Sequence, residues 1–239
     1  MEDERTQKLL HSERLTAIDQ VARGVGHDLG NVLFRIMGKI DLALNEQEVH
    51  CIKQHLKGAL QACERAGRIL RNLQAAHKLD SEFTEVQVST VVNGALALIS
   101  EDLEKESVKV STHYAYDPYI SLDCRKMEQV FFNLFVNSIQ AMPDGMGGEI
   151  KVVMQSAKSP TDAEQEGLAI EISDTGQGIA PEWIPKVFDY VFSTDPGRRG
   201  GLGLSVARRI VQEHGGSLLP RSSLSRGASF TLWLPLNFR

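Results

Sequence analysis

The feature that most constrains the fold of this chain is a long segment that lacks proline and carries apolar residues at helical spacing. No proline occurs between Glu4 and Leu79, and proline inside a helix is strongly destabilising. In the first part of this segment the apolar residues recur every three or four positions, which predicts one helix: Ile18, Val21, Val25, Leu29, Val32, Ile36 and Ile40. In the second part they alternate in steps of four and three, which is a heptad seam: Ile52, Leu56, Ala59, Cys63, Ala66, Leu70 and Leu73.

The polar sequence at residues 45–47 separates these two patterns and predicts the turn of a helical hairpin. Two helices cannot bury both apolar stripes by themselves, so we expect a second copy to complete a dimeric four-helix bundle. His27 lies two residues, or ~200°, from the seam residue Val25 and is predicted to point outward.

After Asp80 the pattern changes to short strands that alternate with helices. Segments rich in strand-forming residues are 108–114, 149–155, 168–173 and 228–234, and helices are predicted over 89–100, 125–142 and 204–214. This order predicts an α/β domain with a mixed sheet and helices on one face. We therefore expect a helical domain at residues 1–80, an α/β domain at 81–239, and a hinge near 79–84.

Composition excludes some classes of function. The net charge of −5 does not favour a nucleic-acid partner. No apolar run in the chain is long enough to cross a bilayer, and the charged N-terminus has no secretory signal pattern. Three cysteines without a CxxC pair are typical of free thiols in a reducing compartment, so we expect a cytoplasmic location.

Three motifs in the second half point to a nucleotide. Asn133 and Asn137 lie on one helix face, where amide oxygens can complete the oxygen shell of Mg²⁺. The sequence DTGQGI follows an apolar strand, and its Asp174 can accept a hydrogen bond from an exocyclic amine such as that of adenine. The third motif, RRGGLGLSVARRIV, leads a glycine-rich loop into a helix whose first amides favour phosphate. Each motif alone has a structural explanation, as a packing pair, a turn or a common loop, but together they favour a nucleotide site.

These motifs resemble the N, G1, F and G2 boxes of the histidine-kinase catalytic domain, which shares its nucleotide fold with gyrase, the heat-shock chaperone ATPase and MutL. The segment LTAIDQVARGVGHDLGN is similar to the dimerisation and phosphoacceptor helix of bacterial two-component sensor kinases, in the branch with HDxxN or HExxN. The resemblance extends from about residue 7 to 236. It implies a Bergerat-type α/β sandwich, ATP and Mg²⁺ as cofactors, a homodimer, and a response-regulator receiver domain as partner.

The resemblance also implies residue roles in the ATP site. Asn137 would ligate Mg²⁺, and Asn133 would contact the ion or the phosphates. Asp174 would recognise adenine in a pocket shaped by Gly176 and Gly178. The remaining residues expected at the ATP site are Ile179, Phe188, Phe192, Arg198, Arg199, Gly201, Leu202, Gly203 and Leu204.

The same resemblance implies that His27 is the phosphoacceptor. The Asp28 carboxylate would accept a hydrogen bond from the ring N–H of His27 and so fix the tautomer of the imidazole. Glycines at 24, 26 and 30 surround this pair, although each glycine in a helix costs about 1 kcal/mol relative to alanine. We interpret them as clearance and flexibility for a bulky phosphoryl donor or acceptor. Asn31 lies one turn after His27 on the same face, where its amide could orient water for dephosphorylation of the regulator.

The chain also departs from the family pattern, and two other classes of function stay open. Asp195 stands in the lid where related proteins often carry lysine; it would repel phosphate, with Arg198 and Arg199 in compensation. A phosphotransfer or scaffold protein with a degenerate ATP site is therefore one alternative. A gyrase-like ATPase without phosphohistidine chemistry is the other, although such proteins usually carry a catalytic glutamate at the position of Asn133.

Overall fold

The computed structural model describes residues 30–77, 82–143, 146–189, 202–222 and 227–237. By its contacts the chain divides into two compact units, Met1–Leu73 and Gln74–Arg239. The first contains a helical hairpin and the second an α/β fold.

The helical unit contains α1, which is described from residue 30 to 44, and α2 (Val49–His77). At the end of α1 the Asn45 side-chain amide donates to the Asp41 carbonyl oxygen at 2.9 Å. The Glu46 carboxylate accepts hydrogen bonds from the backbone N–H groups of Glu48 and Gln47, and these bonds lower its pKa. Helix α2 begins directly afterwards, at Val49. The predicted hairpin and its turn are thus confirmed.

Each helix of the hairpin has one buried and one exposed apolar face. Val32, Ala43 and Ala59 are buried. A second set of apolar side chains, which we call the apolar stripe, is 41–78% exposed: Leu33, Met37, Ile40 and Leu44 on α1, and Val49, Leu56 and Leu60 on α2. The α1 members follow steps of four, three and four and are turned ~80–140° from Val32. One hairpin therefore leaves apolar side chains uncovered on both helices.

The described residues of the α/β unit form two sheets. In chain order the strands are β1 (Phe83–Gln87), β2 (Val108–Tyr114), β3 (Tyr119–Asp123), β4 (Gly148–Lys158), β5 (Glu166–Asp174), β6 (Ser217–Ser222) and β7 (Ala228–Pro235). β1 and β3 form an antiparallel pair, and the other strands form a five-stranded sheet in the order β2-β4-β5-β7-β6. Only the β2–β4 pairing within this sheet is parallel, so the sheet is mixed, as predicted.

Helices pack against this sheet to form the core. They are α3 (Val88–Leu98), α4 (Ser100–Lys105), α5 (Cys124–Ala141) and α6 (Leu202–Glu213), with a 3₁₀ turn at Ile184–Lys186. The core lies between α3, α5 and α6 and the sheet, and its largest fully buried side chains include Phe131, Phe135 and Phe230. The alternation of β5 places Leu168, Ile170 and Ile172 in this core and brings Asp174 to the end of the same face.

The structure differs from the sequence prediction in the hinge, in one helix and in three strands. Phe83 and Thr84, assigned to the hinge, are the first residues of β1, while residues 78–81 of that region lie outside the described part. The single helix predicted over 89–100 is divided at Ile99 into α3 and α4. β1, β3 and β6 were missed because their sequences (FTEVQ, YISLD and SLLPRS) are only five or six residues long and gain their strand character from pairing.

A buried histidine links the end of α6 to β3 and β1. The His214 Nδ1–H donates to the Ile210 carbonyl oxygen at 2.8 Å, and Nε2 accepts from the Asp123 backbone N–H at 3.0 Å. Its ring lies 5.0 Å from the Phe83 ring. Burial lowers the pKa of His214, opposed by its bond to Ile210 and by Asp123. Because one ring nitrogen accepts from an N–H, this arrangement requires the neutral imidazole.

Candidate nucleotide site

The candidate site is centred on a buried carboxylate at the end of β5. Asp174 is 7% exposed, and its Oδ1 accepts from the backbone N–H groups of Gly176 at 2.9 Å and Ala228 at 3.2 Å. Burial raises the pKa of this carboxyl, while the bonds from Gly176, Ala228 and the Ser138 side chain oppose that shift. The two backbone donors fix the carboxylate and leave acceptor capacity for a ligand amine.

Gly176 brings the turn after β5 against the end of α5. A side chain at Gly176 would place Cβ 2.7 Å from the Ala141 carbonyl oxygen, and that oxygen accepts from the Gln177 N–H at 2.9 Å. Gly178 has φ +74°, a left-handed conformation that favours glycine. The two predicted glycines therefore serve different purposes: the first allows a close approach, and the second allows the turn.

The turn continues into a hydrogen-bonded connection with the β6–β7 region. The Ile179 N–H donates to the Ser222 Oγ at 2.7 Å, and that hydroxyl donates to the Gly227 carbonyl oxygen at 2.9 Å. The Ile179 side chain is half-buried against the core. This connection holds the motif DTGQGI at both of its ends.

The two asparagines of α5 have different surroundings. Asn133 is 8% exposed; its Nδ2 donates to the Gly203 carbonyl oxygen at 3.1 Å, and its Oδ1 accepts from Gln129 Nε2 at 2.9 Å. Asn137 is half-buried, and within the described part of the chain its amide makes no hydrogen bond. Its oxygen is a suitable Mg²⁺ ligand in chemical terms. No group of three or more His, Cys, Asp or Glu side chains among the described residues could hold a metal ion.

Phe188 lies at the end of the described segment before residue 190. Its ring meets the core residue Phe230 edge-on at 6.4 Å, and the Arg208 guanidinium lies 5.0 Å from its centroid. Arg208 belongs to α6, whose Leu204 packs against the core and whose first residue is Leu202. These contacts bring Phe188 beside the helix that follows the glycine-rich loop.

Several predicted site residues lie outside the part of the chain that the structure describes. Asn31 is described; it lies on α1 and is exposed. The structure brings together Asn133 with Gly203, and Asp174 with Gly176, within hydrogen-bond distance. The predicted residues outside the described ranges are His27, Asp28, Phe192, Arg198, Arg199 and Gly201.

Gln129, Ser138 and Gly227 also build the site and were not predicted from the sequence. Gln129 lies four residues before Asn133, and that helical spacing was a usable signal for an amide pair. Ser138 and Gly227 carried no local signal, because their contacts with Asp174 join segments far apart in sequence.

Comparison with known proteins agrees with this geometry. Residues 122–237 match the family model described as "Histidine kinase-, DNA gyrase B-, and HSP90-like ATPase". This part of the chain, just under half of its length, is similar to that ATPase family. The match covers α5, β4, β5, α6, β6 and β7, and so includes every described residue of the candidate site.

Relatives extend the similarity to nearly the whole chain. Sensor histidine kinase ZraS of Escherichia coli (strain K12) is 30% identical over 236 residues, covering 96% of this chain and 48% of ZraS. Sensor protein FixL of Bradyrhizobium diazoefficiens is 29% identical over 239 residues, covering 95% of this chain and 45% of FixL. The chain thus spans about half the length of these relatives. Together with the family match, they support the expectation of a bacterial sensor histidine kinase catalytic core.

Solved structures share the fold. The catalytic domain of histidine kinase ThkA matches with a TM-score of 0.56 and 24% identity, covering 65% of this chain and 96% of that domain. ThkA in complex with response regulator protein TrrA matches with a TM-score of 0.74 and 22% identity, covering 98% of this chain and 66% of that chain. The α/β fold and the preceding helices are therefore similar in fold to those of these solved structures. Among the helices the structure describes, none is both long and apolar enough to span a membrane.

Proposed function

We propose that this chain is an ATP-dependent protein-histidine kinase of a two-component system, with a helical phosphotransfer domain at residues 1–80 and a catalytic domain at 81–239. The observation that carries the proposal is the Asp174 carboxylate, buried and fixed by two backbone N–H groups within a domain similar to the histidine-kinase ATPase family. Relatives named as sensor histidine kinases give further support.

In the proposed site, Asp174 accepts from the exocyclic amine of adenine, and the first turn of α6 faces the phosphates. Asn137 supplies an amide oxygen to Mg²⁺, which would neutralise charge on the transferred phosphoryl group. We assign Gly201, Arg198 and Arg199 to the proposed ATP lid. Phe188 and Phe192 are proposed to hold this lid on the domain. Asp195 would weaken this lid through repulsion of phosphate.

The phosphoryl group is proposed to pass from ATP to His27, with Asp28 orienting the imidazole, and then to an aspartate of a receiver domain. Incubation with γ-labelled ATP and Mg²⁺ should label the full chain, and the label should be lost in acid and retained in base. His27→Gln should abolish labelling and leave ATP affinity unchanged. Labelling that persists in this variant would place the phosphoacceptor elsewhere. ATP hydrolysis without any labelled protein would favour the gyrase-like alternative, and absence of ATP binding would favour the scaffold.

We also propose that the chain is a homodimer whose second copy covers the apolar stripe. Leu33, Met37 and Ile40 are 50%, 70% and 41% exposed in one hairpin, at the spacing of a helix-bundle interface. Met37→Asp should shift the full chain from dimer to monomer in sedimentation equilibrium. Leu42→Asp is the matched control, because Leu42 is 51% exposed but is turned ~280° from Val32, on the side of α1 opposite the stripe. Dissociation by both variants, or by neither, would contradict this interface.

Dephosphorylation of the regulator is a further part of the proposal. Asn31 is exposed on α1, on the face predicted for His27, where its amide could orient the attacking water without titrating. Asn31→Ala should remove phosphatase activity and preserve His27 labelling. The assay is decay of a purified phospho-receiver alone, with the wild type and with the variant. Equal acceleration by the variant and the wild type would exclude this role.

A further inference from the structure

The Asn133 amide is held from two sides by groups that are far apart in sequence. Gln129, one turn earlier on α5, donates through Nε2 to Asn133 Oδ1 at 2.9 Å. Asn133 Nδ2 donates to the carbonyl oxygen of Gly203 at 3.1 Å, across 70 residues of chain. Asn133 is 8% exposed, and its two partners are half-buried. These two hydrogen bonds, from Gln129 to Asn133 and from Asn133 to Gly203, therefore connect α5 to the first turn of α6.

The direction of this connection depends on which end of the Asn133 amide faces α6. A carbonyl oxygen only accepts hydrogen bonds, so Gly203 can be bound only by the NH₂ end. With the amide reversed, Asn133 Oδ1 would face the Gly203 oxygen and leave two buried acceptors opposed. The Gly203 carbonyl therefore sets the orientation of the Asn133 amide, and the Gln129 NH₂ group satisfies the Asn133 Oδ1 acceptor that this orientation turns toward it.

We infer that Gln129 is a positioning residue for the nucleotide phosphates. It fixes the Asn133 amide, and Asn133 then holds the first turn of α6 through the Gly203 carbonyl. The inference rests on the proposed function, in which the N–H groups of that turn face the phosphates. Gln129 itself does not contact the nucleotide.

This arrangement also separates the tasks of the two asparagines. Asn133 Oδ1 accepts from Gln129 and Asn133 Nδ2 binds Gly203, so this side chain connects two parts of the protein. The side-chain amide of Asn137 makes no hydrogen bond to the described part of the chain, and we assign its oxygen to the cation. The effect of Gln129 on nucleotide binding is accordingly independent of Mg²⁺, whereas that of Asn137 depends on the ion.

Two variants of Gln129 test this inference in the full chain. Gln129→Met removes the donor at similar size without a charge, and Gln129→Glu replaces the donor with an acceptor. Gln212→Glu is the control for the charge introduced by Gln129→Glu. Gln212 is an exposed residue of α6, the helix that Asn133 contacts through Gly203. Affinity for a non-hydrolysable ATP analogue is measured by calorimetry with Mg²⁺ and with EDTA, and thermal unfolding without nucleotide checks that each variant is folded.

Both Gln129 variants should bind the analogue about five- to tenfold more weakly than the wild type, the range expected for one lost hydrogen bond. The factor should be the same with Mg²⁺ and with EDTA, and Gln212→Glu should bind as the wild type does. Wild-type affinity in Gln129→Met, or weakening seen only with Mg²⁺, would overturn the positioning role. A wild-type chain that binds no analogue would instead overturn the proposed function itself.

Discussion

Replacement of Gly227 by alanine tests the construction of the site most directly. Gly227 has φ +79° and lies just before β7. A Cβ atom at this position would overlap the Asp174 carbonyl oxygen and lie 2.8 Å from the Asp174 carbonyl carbon. Since both obstacles are backbone atoms, no side-chain rotation can relieve the overlap. Gly227→Ala must therefore move the start of β7 away from the end of β5.

The cost of this movement has two parts. An alanine in the left-handed conformation costs about 1–2 kcal/mol. Displacement of β7 also breaks the bond from the Ala228 N–H to Asp174 Oδ1, now 3.2 Å, and a hydrogen bond to a charged group is worth about 1.5–3 kcal/mol. Together these give about 3–5 kcal/mol, which in a domain of this size lowers the unfolding midpoint by about 10 °C.

Tryptophan fluorescence reports the unfolding of the α/β unit separately from that of the helical unit. The chain has 2 tryptophans, and both, Trp183 and Trp233, belong to that unit. Thermal unfolding followed by their emission should show the lower midpoint, and ATP affinity should fall because the Asp174 carboxylate loses a fixed donor. Gly38→Ala is the control: it lies in α1 with no atom within 4 Å of its Cβ position, so the tryptophan transition should not change.

A third variant separates backbone conformation from close approach. Asparagine tolerates positive φ better than alanine does, but it has the same Cβ atom. Gly227→Asn should therefore remain strongly destabilised. Recovery of the wild-type midpoint by Gly227→Asn, or a midpoint within about 1 °C of wild type for Gly227→Ala, would refute the argument from backbone contact.

Two further predictions concern titratable groups. Asp174→Asn should preserve the fold, because the amide oxygen can still accept hydrogen bonds from the N–H groups of Gly176 and Ala228. It should weaken ATP binding about 10- to 100-fold, because the charged acceptor for the adenine amine is lost. Inosine triphosphate, which has an oxygen in place of that amine, should lose far less affinity; equal losses for the two nucleotides would contradict the adenine role. Burial lowers the pKa of His214 in the folded chain, so the unfolded chain binds this proton more readily than the folded chain does. The contribution of His214 to stability is therefore complete above about pH 6.5 and decreases as the pH falls below that value. Urea unfolding should show a steeper loss of stability between pH 7.5 and about pH 5.5 in the wild type than in His214→Gln, and identical slopes would show that His214 does not carry this effect.

Much of the fold and part of the site followed from local sequence. Strand β2 was predicted with its observed bounds, and α5 and α6 within one or two residues at each end, because their apolar periodicity is strong. Asp174 and its glycines could be named because a strand followed by a Gly-x-Gly turn carries its chemistry in consecutive residues. On α1 the spacing predicted an apolar series that ends with Val32, Ile36 and Ile40. In the structure Val32 is buried, and the exposed stripe shares only Ile40 with that series.

The tertiary structure alone decided which partners these residues have. Asp174 is fixed by the Ala228 N–H from 54 residues later, Asn133 by the Gly203 carbonyl 70 residues away, and the Asp123 N–H by His214 across 91 residues. Likewise β1, β3 and β6 are strands because of their pairing partners rather than their composition. Local patterns encode the conformation of each segment, because that depends on neighbours a few residues away. Hydrogen bonds between remote backbone groups depend on the assembled sheet and helices, and no local spacing specifies them.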